Sequence, residues 1–321
     1  MEFFQGRKVL VTGGTGFVGI NLMRRLLPLG AQIRATIHRK DPVIQDHRIE
    51  YVRCDLTHNA DCLEVVQGIK YLFHCAANTS GAAVMASTPL VHVTPNVVMN
   101  AQLLEAAYHA KVQKFLWISS STGYPQTGNR PVKEEEMFHG DPDEKYFLVG
   151  WMKRYTEILC RIYAEKLKDP MTTVILRPTN IYGDYDDFDF ATSHVFAAQI
   201  RKVVERHDPI EVWGTGEDVR DVIYVDDFVD AMLLAMEHIT SYNPINVGYG
   251  KGYRVKELLL MMLAADGYTN ANIVYNPSKP TMAPIKLVDV TKAENVLGFK
   301  AKTDIQTGIR KTLTWYRARR L

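Results

Sequence analysis

The sequence predicts an α/β protein with a doubly wound parallel sheet, and three observations indicate this class. Short apolar segments rich in β-branched residues alternate with helical patterns through the first half of the 321-residue chain. These segments show little polar alternation, as expected for strands that helices cover on both faces. A glycine-rich turn also joins the first predicted strand to the first predicted helix. Together these features favour one sheet between two helical layers.

The predicted elements follow one another along the first 178 residues. The strands are KVLVTG, AQIRATIH, a segment ending in EYVRCDL, YLFHCAA, KFLWISS and TTVILRP. One main helix begins at Gly16, and two others cover residues 96–110 and 146–168. Each strand before a helix is short and apolar, which is typical of repeated strand–helix units in a parallel sheet.

The second half of the chain predicts a smaller lobe. After Pro178 the pattern loosens, but YVDDFVDAMLLAMEH and INVG are typical of a helix and a strand that return to the main sheet. We therefore predict one domain over residues 1–177 plus 224–251 and a C-terminal substrate-binding lobe over residues 178–223 plus 252–321. A ligand cleft is expected between them, at the carboxyl ends of the strands.

Composition and charge exclude several partners. Lys plus Arg number 38 and Asp plus Glu number 36, so we expect no binding to nucleic acid or to a membrane surface. The longest apolar run, LLLMMLAA, is far too short to span a bilayer, and the N-terminus lacks a signal-peptide pattern. Four cysteines without CxxC or metal spacing indicate a cytoplasmic protein. The acidic loop GDYDDFDF lacks the calcium-loop pattern, so no metal site is expected.

The glycine-rich turn predicts a dinucleotide site. Gly13, Gly16 and Gly19 form a GxxGxxG array directly after a strand and before an amphipathic helix. Glycines permit close backbone approach, and the N-terminus of the helix offers free N–H groups to a pyrophosphate. In this context the array indicates a Rossmann-type domain.

The end of the second strand favours NADP(H) over NAD(H), which remains possible. NAD-binding versions of this fold place a carboxylate about 20 residues beyond the glycines. Here that position falls on His38, Arg39 and Lys40. Guanidinium and ammonium groups suit the 2′-phosphate of NADP. The alternative is a basic turn that only faces solvent.

Longer motifs run from end to end of the chain. They include TGGTGFVG, HCAANTSG at 74–81, ISSSTGYP, RPTNIYG at 177–183 and WGTGEDVRDVIYVDD at 213–227. Together these motifs resemble the extended short-chain dehydrogenase/reductase family of nucleotide-sugar enzymes. Within it, PTNIYGDYDDFDFATSHV followed by IRK resembles the GDP-fucose synthase group, whose members act on GDP-4-keto-6-deoxymannose. The resemblance implies cofactor contacts by Gly13, Thr15, Gly16, Phe17, Val18, Gly19, His38, Arg39, Lys40, Asp55, Leu56, Ala76, Ala77, Asn96, Lys153 and Pro178.

The catalytic motif of the family is incomplete. The family uses a serine, a tyrosine that transfers a proton, and a lysine four residues later on the same helical face. Ser120 and Lys153 match the serine and the lysine, but Val149 stands at the tyrosine position. Tyr146, seven residues before the lysine, could compensate only through a local distortion such as a late helix start. The other candidates are the hydroxyl of Thr122, Lys153 itself, and a water held by the serine and the threonine.

Further residues match the family's chemistry. His194 matches an epimerisation acid, and imidazole titrates near neutrality. Thr122 stands where GDP-fucose synthases carry a cysteine, which weighs against a double epimerisation. The substrate contacts that the resemblance implies are Thr122, Asn180, Arg201 and Arg220, with Lys202 and Trp213 as additional candidates.

Three functions remain open from the sequence. The first is an NADP-dependent epimerase/reductase acting on a 4-keto or 4-hydroxy nucleotide sugar, with GDP-sugars favoured. The second is a non-redox epimerase that uses His194, and the third is a cofactor or nucleotide-sugar sensor without catalysis. By resemblance we also expect a homodimer joined by the helices over residues 96–110 and 146–168.

Overall fold

The computed structural model describes residues 2–79 and 81–319, so Ser80 of the HCAANTSG motif lies outside the described residues. The strands are β1 (Lys8–Thr12), β2 (Gln32–Ile37), β3 (Ile49–Arg53), β4 (Tyr71–His74), β5 (Lys114–Ile118), β6 (Thr172–Pro178), β7 (Asn180–Tyr182), β8 (Ile210–Trp213), β9 (Val219–Tyr224), β10 (Asn243–Val247), β11 (Gly252–Arg254), β12 (Ile273–Asn276) and β13 (Ile285–Lys286). The helices are α1 (Phe17–Leu26), α2 (Asn59–Val65), α3 (Ala82–Ser87), α4 (Thr94–His109), α5 (Phe147–Glu165), α6 (Val195–Val204), α7 (Val225–His238), α8 (Val255–Asp266), α9 (Thr291–Leu297) and α10 (Ile305–Ala318).

Seven parallel strands form the central sheet, in the order β3-β2-β1-β4-β5-β6-β10. Helices α1 and α7 pack together, as do α2, α4 and α5. The side chains of β1 show why both faces are covered. Val9 and Val11 belong to one hydrophobic core, and Leu10, between them, belongs to another. Successive strand residues face opposite sides, so a strand buried on both faces must be apolar throughout.

The remaining strands form two smaller sheets. Strand β9 pairs with β7, β11 and β13, and β8 pairs with β12. Only the β9–β11 pair is antiparallel among the described pairs of these sheets. Short 3₁₀ turns cover residues 89–92, 121–123, 134–138 and 144–146. Because β7 follows β6 after a single residue, the chain passes directly from the central sheet into the smaller sheets.

The predicted fold class is confirmed. The helix predicted from Gly16 begins at Phe17 with Gly16 as its N-cap, and the strand predicted at INVG is β10 beside β6. The helix predicted over residues 146–168 begins one residue later, at Phe147. The Asp143 carboxylate accepts a hydrogen bond from the backbone N–H of Lys145 and caps a 3₁₀ turn that precedes this helix. None of the described helices is both long and apolar enough to cross a membrane.

Candidate active site

A cavity of about 770 Å³ opens at the carboxyl ends of the central strands. Its wall combines the turn before α1, the ends of β4 and β5, the start of α5, and segments of the smaller sheets. The predicted site residues that line it are Gly16, Phe17, Val18, Ala76, Ala77, Asn96, Ser120, Thr122, Val149, Lys153, Asn180, His194 and Arg220. The fold therefore brings residues that are as much as 204 positions apart in sequence to one space.

The glycine turn is built for close backbone contact. Gly13 has φ +69°, and a Cβ there would lie 2.9 Å from the backbone of Ala76. A Cβ at Gly19 would lie 2.2 Å from the Gly13 carbonyl oxygen. No described side chain caps α1, and its first turn carries no acidic residue. The free N–H groups and the helix dipole at this end could hold a pyrophosphate. Thr15 lies within the same turn.

The basic turn lies beyond the cavity, at the ends of β2 and β3. His38, Arg39 and Lys40 are exposed there, and His38 Nε2 lies 3.7 Å from a carboxylate oxygen of Asp55. Hydrogen bonds from Thr57 lower the pKa of Asp55. Leu56 beside it is a buried core residue, and so is Pro178 at the end of β6. The residues after β2 and β3 could contact only the adenosine half of a dinucleotide that lies across the glycine turn, whereas Pro178 lies on the other side of β1 in the sheet.

Sequence reasoning missed Arg53, which ends β3. Its guanidinium donates to the backbone oxygen of His38 at 2.6 Å and to the Asp41 carboxylate at 2.6 Å. Arg53 therefore fixes the shape of the basic turn and adds positive charge to it. No motif marks this residue, because it approaches the turn from the neighbouring strand.

Lys153 lies within the cavity wall, 9% exposed. Its Nζ donates to the backbone oxygen of Ile118 at 2.9 Å and lies 4.7 Å from the centre of the Trp117 ring. Burial lowers the pKa of Lys153 to about 8, although the nearby Glu157 carboxylate opposes this shift. The lysine is thus a desolvated cation at the end of β5, beside Ser120.

The serine and the threonine offer hydroxyl groups to the cavity. Ser120 Oγ accepts a hydrogen bond from the backbone N–H of Thr122 at 3.1 Å. The Thr122 hydroxyl is buried and has no partner among the described residues. Helix α5 passes directly against this turn, because a Cβ at Gly150 would lie 2.8 Å from the Thr122 backbone oxygen. Val149 therefore lines the cavity close to the threonine.

Tyr146 also lines the cavity, but it faces another part of it. The Lys286 ammonium lies 4.6 Å from the centre of its ring. Burial raises the pKa of Tyr146 to about 12, with Arg220 opposing the shift and Asp143 and Asp218 adding to it. The tyrosine therefore lies among the charged groups that surround Arg220. This position, rather than one beside Lys153, does not favour Tyr146 as a replacement for the absent tyrosine.

His194 is the N-cap of α6 and opens onto the cavity. Desolvation by the surrounding protein lowers the pKa of His194, and the charges of Lys286 and His92 lower it further. The imidazole is therefore predominantly neutral near pH 7 and can accept a proton. Asp187 opposes the shift from the adjoining acidic loop.

Arg220 and its neighbours make one end of the cavity cationic. Its guanidinium donates to the backbone oxygen of Val219 at 2.9 Å and to the Asp218 carboxylate at 3.0 Å. Burial lowers the pKa of Lys286 to about 7, and Arg220 adds to this effect. Lys202 lies in the same wall, with Asn180 and Trp213. These groups could hold a diphosphate and a base.

The assignment of Arg201 to the substrate requires correction. Its guanidinium donates to Glu205 at 3.1 Å and to the backbone oxygen of Phe188 at 2.9 Å, and it covers the Phe190 ring. It is not among the residues that line the cavity, whereas its neighbour Lys202 is.

A buried ion pair supports the segment that carries Ser120. Arg177 and Glu157 are 2% and 0% exposed, and their charged groups lie 2.5 Å apart. Glu157 also accepts from the Ser119 hydroxyl at 2.5 Å, and Arg177 donates to the Tyr124 hydroxyl at 2.7 Å. This network ties β6 and α5 to the end of β5, and so fixes the spacing between the serine and Lys153.

Other functional candidates carried no signal in the sequence. His92, Trp117 and Lys286 line the cavity, yet they lie outside the motifs that predicted the site. Their place in the cavity wall depends on the packing of segments that are far apart in sequence. No group of three or more metal-binding side chains occurs in the described ranges 2–79 and 81–319.

Three features define a dinucleotide-binding α/β protein: the sheet order, the glycine turn, and Lys153 of α5, whose ammonium lies at the end of β5. A second ligand space lies beside the nicotinamide end. Residues 9–248 match the model of the NAD dependent epimerase/dehydratase family. The chain belongs to this family, and the predicted resemblance to the extended dehydrogenase/reductases is confirmed.

Individual relatives match nearly the whole chain. A probable GDP-L-fucose synthase from Oryza sativa subsp. japonica is 28% identical and matches 97% of this chain and 92% of its own. A dTDP-4-dehydro-6-deoxy-D-allose reductase from a Streptomyces species is 30% identical over 97% of both chains. The crystal structure of UDP-glucose 4-epimerase with UDP-glucose from Thermotoga maritima has a TM-score of 0.88 at 26% identity and covers 98% of this chain and 100% of its own.

Proposed function

We propose that this protein is an NADP-dependent nucleotide-sugar epimerase/reductase that acts on a 4-keto or 4-hydroxy hexose, with GDP-sugars favoured. One observation carries the proposal: a single cavity joins the glycine turn, Lys153, His194 and Arg220. Relatives named as GDP-L-fucose synthases and keto-sugar reductases support this choice of substrate. We also propose that residues 178–223 and 252–321 form the substrate-binding lobe, and that the enzyme acts in the cytoplasm.

Each residue has a task that follows from its position. The first turn of α1 binds the pyrophosphate of the cofactor, and Lys153 holds the nicotinamide ribose. When bound, the nicotinamide supplies or accepts the hydride. Ser120 and Thr122 orient the sugar oxygen at which the reaction occurs, because their hydroxyls face the cavity close to the lysine. Arg220 pairs with the diphosphate of the substrate, for which guanidinium geometry is suited.

Incubation with NADPH and GDP-4-keto-6-deoxymannose tests the proposal. We expect oxidation of the cofactor, followed by absorbance, together with a reduced sugar in the NMR spectrum. A panel of UDP-, dTDP- and GDP-linked 4-keto sugars then identifies the preferred nucleotide. Failure to oxidise NADPH or NADH with any member of the panel would reject the reductase function.

A second candidate is epimerisation without net redox change, and the neutral His194 favours it. Such an imidazole could take a proton from the carbon next to a sugar carbonyl. Solvent deuterium would then enter the sugar while the cofactor remains unchanged. If binding occurs without either reaction, the third alternative, a sensor of cofactor or nucleotide sugar, accounts for the chain.

The choice of cofactor depends on the basic turn. In Arg39→Ser we expect the Kd for NADPH to rise roughly 10- to 100-fold while the Kd for NADH changes little, since a charge-assisted hydrogen bond contributes about 1.5–3 kcal/mol. Fluorescence titration of both cofactors measures this, with the exposed Arg310→Ser as the matched control. Tighter binding of NADH than of NADPH by the unmodified protein would contradict the assignment.

We propose that the chain forms a homodimer through α5. Phe147, Trp151, Tyr155, Ile158 and Ile162 recur every three or four residues along this helix and are 38–50% exposed. Such an apolar stripe is typical of a helix that packs against a partner. We expect Tyr155→Glu/Ile158→Glu to be monomeric by light scattering, while Leu260→Glu, at an exposed position on α8, remains dimeric. A monomeric unmodified protein would contradict this proposal.

A further inference from the structure

His92 ends the 3₁₀ turn Pro89–His92, and its imidazole is 97% buried. Its Nδ1 lies 3.2 Å from the backbone oxygen of Asn78. A carbonyl oxygen only accepts, so Nδ1 carries a hydrogen atom. In the neutral ring the other nitrogen, Nε2, then carries a lone pair. Across residues 2–79 and 81–319 this nitrogen has no hydrogen-bonding partner, and His92 lines the cavity.

The loop that carries His92 and its Asn78 partner is held by several hydrogen bonds. Asn96 Nδ2 donates to the backbone oxygens of His92 at 2.6 Å and Asn78 at 2.9 Å. Asn96 Oδ1 accepts from the Asn78 backbone N–H at 2.9 Å, and Asn78 Nδ2 donates to the backbone oxygen of Val91 at 2.9 Å. A buried polar atom without a partner is costly, and a group bound in the cavity that His92 lines could satisfy this nitrogen.

The position of His92 matches the gap in the catalytic motif. The 3₁₀ turn packs against α5, which contributes both Val149 and Lys153 to the cavity wall. Valine supplies no proton and leaves the volume of a tyrosine ring unfilled. From another wall His194 is close enough for the charge of His92 to lower its pKa. The two histidines therefore face the same space.

We propose that His92 Nε2 is the group that transfers a proton to or from the sugar oxygen in place of the absent tyrosine. This proposal rests on the proposed reductase function. As the carbonyl carbon gains a hydride, the π-electron pair of the C=O bond moves onto oxygen. Doubly protonated His92 then gives its Nε2 proton to that oxygen, is left neutral with Nδ1–H on Asn78, and regains a proton from water. The reverse steps apply to oxidation of an alcohol.

The hydroxyls in the cavity are weaker candidates for this step. The Thr122 hydroxyl is also buried and without a described partner, but an aliphatic hydroxyl does not ionise near neutral pH. Imidazole exchanges protons in that range. Thr122 is better suited to orient the oxygen that His92 protonates.

The first experiment separates proton transfer from support of the loop. In His92→Asn, the side-chain amide can still donate to the Asn78 backbone oxygen, but the Nε2 position is lost. We expect kcat to fall roughly 10²- to 10⁴-fold, the usual contribution of general acid–base catalysis, with little change in the Kd for NADPH. Added imidazole should partly restore turnover by His92→Ala. The matched control is His47→Asn, at a side chain that is 93% exposed.

A second variant tests the link to Val149. If His92 performs the task of the tyrosine, then Val149→Tyr in the His92→Asn background should recover at least tenfold in kcat. Two outcomes would overturn the role of His92. In the first, the kcat of His92→Asn stays within threefold of the value for the unmodified protein. In the second, the unmodified protein turns over, but neither added imidazole nor Val149→Tyr restores turnover to the His92 variants. The proposed reductase function would stand in either case.

A readout without turnover completes the test. Nitrogen-15 NMR of histidine-labelled protein should show His92 as the Nδ1–H tautomer, assigned by its loss in His92→Asn. Addition of NADP⁺ with GDP-mannose should shift the Nε2 resonance. If bound ligands leave that resonance unchanged, the inference is wrong whether or not a substrate is found. If the resonance shifts but no sugar is reduced, the reductase function fails while the placement of His92 against the ligand is upheld.

Discussion

Replacing Arg177 by methionine should lower the free energy of unfolding by about 3–5 kcal/mol, because the substitution leaves a buried carboxylate without its partner. Both members of the Arg177–Glu157 pair are almost fully buried, and two hydrogen bonds join them, at 2.9 and 2.5 Å. Urea unfolding followed by fluorescence measures the change. Turnover should fall in parallel, since the same carboxylate supports Ser119, next to the proposed site residue Ser120.

An exposed pair provides the matched control. Arg161 and Glu165 lie one turn apart on α5, and their charged groups are 2.8 Å apart at the surface. Arg161→Met should cost about 0–1 kcal/mol, as surface ion pairs usually do. The double variant Arg177→Met/Glu157→Gln should be more stable than Arg177→Met, because it removes the unpaired charge. A loss below 1 kcal/mol in Arg177→Met would contradict the structural role of the pair.

The central sheet was predictable because its determinants are local. Runs such as VLV in β1 and VIL in β6 are apolar at consecutive positions, which is typical of a strand covered on both faces, and the glycine array fixes the first turn. Lys153 was predictable for the same reason, because its helix and the spacing to Ser120 can be counted along the chain. The start of α5 was placed one residue early, because Tyr146 ends the 3₁₀ turn that Asp143 caps and the α-helix begins only at Phe147.

The cavity wall was less predictable because it depends on distant segments. His92 reaches the cavity that Val149 lines only after its 3₁₀ turn has packed against α5, and Lys286 reaches the Tyr146 ring from a strand near the end of the chain. Arg201 and Lys202 are neighbours in sequence, but the direction of α6 decides which of them faces the ligand. In each case the residue type carries no signal in the sequence, and only the tertiary structure decides whether the residue lies in the cavity wall.

The charges around the cavity are arranged in a way that stability alone does not explain. Burial lowers the pKa of both Lys153 and Lys286, so the fold keeps two amines where their charged forms are disfavoured. The Nζ of Lys153 has a carbonyl oxygen as its hydrogen-bond acceptor, not a carboxylate. A phosphate, ribose or sugar oxygen supplied by a ligand would offset this cost. The cavity therefore fits a ligand that is rich in oxygen and negatively charged.

Lys153→Met should consequently make the protein more stable and much less active. A pKa lowered from 10.5 to about 8 corresponds to an unfavourable interaction on the order of 3 kcal/mol for the charged lysine. Loss of the hydrogen bond to Ile118 offsets about 1 kcal/mol of this, so we expect a net gain of about 1–2 kcal/mol at pH 7. The kcat/KM should fall at least roughly 10²-fold, because the group that we propose holds the nicotinamide ribose is gone.

The pH dependence of unfolding identifies the cause of that gain. Between pH 8 and 10.5 the unfolded chain still carries the proton on Lys153 and the folded chain has released it, so the stability of the unmodified protein rises with pH in this window. Lys153→Met lacks this contribution, and its advantage should shrink from pH 8 to pH 10.5. Urea midpoints at both pH values measure the difference. An advantage that is constant across the window would show that methionine stabilises by packing alone, and that Lys153 is not a desolvated cation held for a ligand.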